Sequence, residues 1–174
     1  MDTHSRLLAA AEQLFDRHGF TPTGMDRLAQ AADISSRTLY KHAGSKNALI
    51  AAVLTARNQR FMTRIEVDRV DALFAALEAW MRKEGSRGCL LLRAQGETGG
   101  DTPEIARVVA AYKAELATRI RQIVASERGT DDPALAEQML VLFEGATAAA
   151  MYRGVAAVAA ARAAAAVLMD RAGR

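Results

Sequence analysis

The chain has 174 residues, 51% hydrophobic and 25% charged, with one cysteine and a formal net charge of +3. That length supports one or two small domains with an apolar core, and the lone Cys89 excludes an intramolecular disulfide and fits a reducing compartment. No basic and apolar signal segment opens the chain, and no uncharged apolar run reaches membrane-spanning length, since Arg162 interrupts even the alanine-rich tail; a soluble cytoplasmic protein is expected.

The charge is unevenly placed. Residues 1–60 carry Lys or Arg at eight positions and Asp or Glu at five, whereas the remaining 114 residues carry fifteen of each. All the net positive charge therefore lies in the first third, the distribution of a chain that meets phosphate with one end.

Leu7, Leu8, Ala11, Leu14 and Phe15 recur at helical spacing over residues 5–18, and Gly19 supplies a stop. His4 and Arg6, at the start of this helix, are placed to reach a DNA backbone. Thr23 and Asp26 stand at capping-box spacing before a helix with Met25, Leu28, Ala29 and Ala32 on one face. Asp33-Ile34-Ser35 breaks it, with Asp33 at the tight turn and Ser35 placed to cap the next helix. That next helix has only Leu39 and Ala43 as its apolar stripe, which leaves Ser36, Arg37, Thr38, Tyr40, Lys41 and His42 facing outward. Helix, short turn, helix is the helix-turn-helix layout. Its outward residues are the donors, acceptors and cations that a helix in the major groove needs: hydroxyls and Arg for base edges, Lys, Tyr and backbone N–H for phosphates.

Ser45 caps a fourth helix that begins at Lys46, turns Leu49, Ala52, Val53 and Ala56 inward, and runs to the neighbourhood of Ile65. Val70, Leu73, Phe74, Leu77, Trp80 and Met81 form an amphipathic stripe ending at Gly85. Gly85-Ser86 and Gly88 mark a break, after which Cys89-Leu90-Leu91-Leu92 begins a short buried helix. Gln95 to Pro103, with Gly96, Gly99 and Gly100, reads as a mobile loop. Ile105, Val108, Val109, Tyr112, Leu116, Ile120, Ile123 and Val124 mark the longest helix, which ends near Gly129. The last two helices, near 132–152 and 155–172, are rich in small side chains, among them Ala136, Ala146, Ala150 and the run Ala156–Ala166. Small residues let helix backbones approach closely, within one monomer or between two. No strand pattern appears, so the fold class is all-α with about nine helices.

Leu7-Leu8-Ala9-Ala10-Ala11 with Leu14-Phe15, Gly19-Phe20, Thr23, Leu28-Ala29, Ile34-Ser35, Thr38-Leu39-Tyr40, Lys46 and Leu49 resemble the tetracycline-repressor-type (TetR) family of transcriptional regulators. The resemblance is dense over the first fifty residues or so and looser at Arg87-Gly88-Cys89-Leu90-Leu91-Leu92 and the alanine-rich end. It implies a helix-turn-helix DNA-binding domain over 1–46 and a helical effector-binding and dimerisation domain over 47–174. It also implies a bacterial cytoplasmic repressor, homodimeric through its last two helices, that binds double-stranded operator DNA, needs no cofactor and is released by a small-molecule effector. DNA contacts carry over to Thr23, Gly24, Ser35, Ser36, Arg37, Thr38, Tyr40, Lys41, His42 and Lys46, with Lys46 as a phosphate clamp. Three positions depart from the family pattern. Asp33 replaces the usual Gly of the turn, Gly24 replaces a phosphate-touching Thr, and Ala43 replaces an aromatic anchor beneath the recognition helix.

For the effector, Trp80, Tyr112, Met139 and Phe143 are the large apolar candidates among the middle helices, with Arg93 and Glu97 as polar contacts. Cys89, near Arg87 and Arg93, is a candidate redox or electrophile sensor, although its apolar run favours a buried structural role. His4, His18 and His42 lack metal-ligand spacing, so no metal is expected, and neither a phosphate-cradling glycine loop nor a nucleophile elbow is present, so catalysis is not expected. Two alternatives stay open: a constitutive DNA-binding protein with no effector, and an all-α adaptor that no longer binds DNA.

Overall fold

The computed structural model describes residues 2–85 and 87–172, and among these the chain is all-α. Nine helices follow in order: α1 (Thr3–His18), α2 (Met25–Ala31), α3 (Ser36–Ala43), α4 (Lys46–Arg64), α5 (Val70–Glu84), α6 (Leu90–Glu97), α7 (Pro103–Arg128), α8 (Pro133–Arg153) and α9 (Ala156–Ala172). Ser86, named above in the break after α5, lies outside the described residues.

Compactness groups the chain into two units, Met1–Gln59 with Leu90–Tyr112, and Arg60–Cys89 with Lys113–Arg174. The division expected at residue 46 is one of function, DNA reading against the rest, and is a different cut.

In the first unit, α1 starts two residues earlier than the apolar spacing suggests, because the Asp2 carboxylate accepts the Ser5 N–H at 2.8 Å and so caps it. That same backbone donor holds the Asp2 carboxyl below its ordinary value. Leu7, Ala11 and Phe15 are buried on the inner face of α1, and the Phe15 and Phe20 rings stack at 4.9 Å. The nearly buried pair Arg57–Glu12, at 2.6 Å, ties α4 to α1. α6 extends further than its glycines suggest, taking in Gln95, Gly96 and Glu97, so the loop expected from Gln95 shrinks to residues 98–102. Its end is closed by the Gly100 N–H on Gln95 O and the Gly99 N–H on Gly96 O, a Schellman-type closure with Gly99 and Gly100 at positive φ. A glycine inside a helix costs only about 1 kcal/mol against alanine, which such an end can offset.

In the second unit, Phe61, Val70, Leu73, Phe74, Leu77, Leu116, Ile120, Met139 and Phe143 are buried. The start of α5 has Arg69 as its cap residue and no side-chain cap of its own. Glu127 of α7 supplies one, accepting the Val70 N–H at 2.7 Å and pairing with Arg69 at 3.1 Å. α9 packs on α8 and α5, and Arg162 grips Asp71 of α5 through two 2.5 Å hydrogen bonds. α8 opens with Asp132 accepting the Leu135 N–H and Pro133 in the first turn, where a missing N–H costs nothing. Among the described residues, no helix is long and apolar enough to cross a membrane.

Candidate nucleic-acid interface

The helix-turn-helix is built by α2 and α3. Leu28 and Ala29 are buried on α2, and the small Ala29 and Ala32 side chains leave room for α3 to approach. Asp33 turns the chain at φ 54°, making it the described non-glycine residue with positive φ, and Ile34 N–H reaches back to Ala29 O. Ser35 then caps α3, its hydroxyl accepting the Thr38 N–H at 3.1 Å. Leu39 is the fully buried residue of α3 and Ala43 is half-buried beneath it.

One turn of this helix outward, Ser36, Arg37, Tyr40, Lys41 and His42 are all exposed, with Tyr40 showing 52% of its surface, and Thr38 is half-exposed. The structure thus brings the α3 candidates onto one open face of donors and cations. The Ser35 and Thr38 hydroxyls meet at 2.9 Å, and Ser36 lies 3.4 Å from the Asp26 carboxylate. His4 of α1, far from His42 in the chain, comes within 6.3 Å of it, ring to ring, which adds a third element to the same end.

Thr23 and Gly24 are placed differently from each other. The capping box expected of Thr23 and Asp26 does not form: the N-cap of α2 is Gly24, with no side-chain cap bond, and Thr23 sits one residue outside the helix. Its side chain is wholly buried and its hydroxyl donates to Gly19 O at 2.7 Å. The spacing rule fails because the buried hydroxyl is committed to Gly19 O and so cannot cap α2. Gly24 is exposed in extended backbone, with nothing within 4 Å of where a Cβ would stand. The start of α2 therefore offers bare N–H groups, which suit a phosphate oxygen.

Lys46 opens α4 behind a Ser45 cap, the hydroxyl accepting the Ala48 N–H at 3.1 Å. Its ammonium donates to Thr21 O at 3.1 Å, so the proposed clamp is anchored on the loop that precedes α2. Arg27, an exposed cation of α2 absent from the candidates above, lies 2.9 Å from His18 Nε2. Guanidinium only donates, so that ring nitrogen is the acceptor and carries no proton in this arrangement. Helical spacing alone signals that Arg27 is on the outer face, but not that it has a partner there.

The effector candidates fall in both compact units. Trp80, Met139 and Phe143 belong to the second unit, where Phe61 packs against Trp80 at 5.1 Å and Phe143 at 5.9 Å. Arg64 lies over the Trp80 ring at 5.7 Å. Tyr112 is buried in the first unit. Arg93 and Glu97 also lie there, and both are engaged by the protein: Arg93 donates to Asp16 O at 3.2 Å and pairs with its carboxylate, and Glu97 takes the Phe20 and Thr21 N–H groups. Cys89 is half-buried rather than sealed in the core, with the Lys113 ammonium 3.7 Å from its sulfur and 2.5 Å from Glu144. Among the described residues, no group of His, Cys, Asp and Glu has the arrangement to hold a metal.

Comparison with known proteins bears on the same region. Residues 7–53 match the family described as bacterial regulatory proteins, tetR family. The HTH-type transcriptional regulator UidR of Escherichia coli K12 is 37% identical over 62 residues, 36% of this chain and 32% of that protein. The HTH-type transcriptional regulator TcmR of Streptomyces glaucescens is 25% identical over 143 residues, 74% of this chain and 62% of that protein. The chain thus spans a third to under two thirds of the length of these relatives. Among solved structures, SCO4454, a TetR-family transcriptional regulator from Streptomyces coelicolor, superimposes with a TM-score of 0.89 over 99% of this chain and 96% of that one at 22% identity, a likeness of fold.

Proposed function

We propose that this chain, whose amino-terminal region is that of the bacterial TetR-family regulatory proteins, is a dimeric, sequence-specific DNA-binding transcriptional regulator, a repressor released from its operator by a small molecule. The observation that carries the reading is the face of α3: Leu39 alone is fully buried, and Arg37, Tyr40, Lys41 and His42 stand open beside Ser36. On this reading Arg37 and the hydroxyls meet base edges, while Lys46, Tyr40, Lys41 and the bare start of α2 meet phosphates. Residues 1–46 form the reading head and 47–174 the effector-binding and dimerisation part.

The dimer is supported by what α8 and α9 leave uncovered. Gln138, Val141, Gly145, Ala148 and Tyr152 form an exposed stripe on α8, and Ala156, Ala160, Ala163 and Val167 form one on α9. Both repeat every three or four residues, with small side chains between apolar ones, the pattern of a helix face that meets another helix. Dimerisation doubles a site too short for one recognition helix to select.

Release by an effector is differential binding: the ligand weakens DNA binding only as far as it prefers a state with wrongly spaced recognition helices. One observation favours the alternative of a regulator without effector. Phe61, Trp80 and Phe143 pack on one another, and Phe74 joins Phe143 at 6.3 Å, so these aromatics already satisfy each other as core. A gel-shift assay on DNA upstream of the protein's own gene tests the main reading, which requires a shift that survives excess unrelated duplex; no shift refutes it. A thermal-shift screen with apolar and cationic compounds separates the two versions, a stabilising compound that also lowers operator affinity marking the effector-responsive one.

A further inference from the structure

The loop between α1 and α2 is held from both sides of Thr21. On one side Glu97 Oε2 accepts two backbone donors, the Phe20 N–H at 2.6 Å and the Thr21 N–H at 2.9 Å, and the Thr21 hydroxyl leans on the Glu97 carbonyl at 3.4 Å. On the other side, Thr21 O accepts the Lys46 ammonium at 3.1 Å. A carboxylate on the N–H side and a cation on the C=O side polarise this stretch in the same sense, and charge-assisted bonds are the stronger kind. Pro22 follows with its φ fixed, and Thr23 closes the loop on Gly19 O at 2.7 Å. Gly19 is where the carboxylate comes close: a Cβ there would stand 3.0 Å from both Glu97 oxygens, at a φ of +85° that already favours glycine. What this loop positions is the bare N-terminus of α2 at Gly24 and the ammonium of Lys46.

We infer that Glu97, on α6 and far from the motif in sequence, is a positioning residue for DNA binding: its carboxylate sets the loop that aims Lys46 and the start of α2 at the phosphates. The inference rests on the DNA-binding reading above. It runs against simple electrostatics, in which deleting an exposed carboxylate from a DNA-binding surface strengthens binding by removing repulsion. Positioning gives the opposite sign, because an unheld loop must be ordered when DNA binds.

The test uses the full chain and a duplex of random sequence, about thirty base pairs long, so that phosphate contacts are read without knowing the operator. Glu97→Ala is expected to weaken binding by about fivefold or more and to lower the salt slope, with amide exchange at Phe20 and Thr21 faster by about tenfold or more. Glu97→Gln, which keeps the acceptor but not the charge, lies between and serves where Glu97→Ala folds poorly. Glu104→Gln, which removes one exposed charge from the first turn of α7, binds as tightly as the parent or more tightly. If the parent binds and both Glu97 variants bind as tightly as it does, the inference fails and the DNA-binding reading stands. A parent that does not bind the duplex overturns both.

Discussion

Asp33 holds a backbone conformation that costs an L-residue about 1–2 kcal/mol, less for Asp and Asn, whose side chains bond locally. At φ 54° it is the turn residue that fixes the angle from α2 to α3. Asp33→Gly is expected to stabilise the protein by about 0.5–1 kcal/mol, relief of strain outweighing the added freedom of the unfolded chain, and Asp33→Val to destabilise it by about 1–2 kcal/mol. Urea unfolding measures both, and a Gly variant less stable than the parent removes the strain account. Asp33, Ser35 and Ser45 were legible in the sequence because turns and caps are settled within three or four residues of chain. Thr23 was legible only in part: its spacing to Asp26 fits a capping box, yet burial sends its hydroxyl to Gly19 instead. For Glu97 the sequence does not announce its bonds to Phe20 and Thr21, because these partners lie 77 and 76 residues away and leave no local pattern.

Between elements, the Asp71–Arg162 pair pins α9 to the first turn of α5. The Arg162 guanidinium, donating two hydrogen bonds, holds the Asp71 carboxyl below its ordinary value of 3.8, and the pairing raises Arg162 in turn. A carboxylate depressed in the folded state stabilises it at pH above the unfolded value and loses that contribution as pH falls through the folded one. Asp71→Asn is therefore expected to lower the unfolding midpoint at neutral pH, modestly because the pair is largely exposed, with the deficit closing below pH 3.8. A deficit that persists unchanged in acid assigns the loss to packing rather than charge. The helix pattern made both α5 and α9 legible, but Arg162 appeared in the sequence only as an interruption of an alanine run. Which helix it would meet is a question of tertiary register that periodicity does not address. The end of α6 is similar: its three glycines suggest a loop, and the Schellman-type closure at Gly99 and Gly100 is what lets the helix run on to Glu97.

At the scale of the whole molecule, the nine helices among the described residues follow from apolar spacing and glycine stops, since each helix declares itself by its own face. The two compact units do not, because α6 and the start of α7 join α1–α3 and α4 up to Gln59 through contacts distant in sequence. The uncovered stripes of α8 and α9 are the faces on which the proposed dimer would close. Ala148→Glu, which places a charge in the exposed apolar stripe of α8, is expected to yield a folded monomer by sedimentation velocity and to lose binding to a duplex with two half-sites. A dimer that survives this change would move the interface elsewhere.

The central claim is the proposed division of labour between Arg37 on the open face of α3, as base reader, and Lys46, as phosphate clamp. It is tested most directly by titrating the parent, Arg37→Ala and Lys46→Ala with an upstream-derived duplex and a scrambled one across a range of salt concentrations. Arg37→Ala is expected to lose about 1–3 kcal/mol of preference for the upstream duplex. Lys46→Ala is expected to weaken both duplexes alike and to reduce the salt slope by about one. Equal effects of the two variants on both duplexes would contradict the assignment of α3 as the reading face.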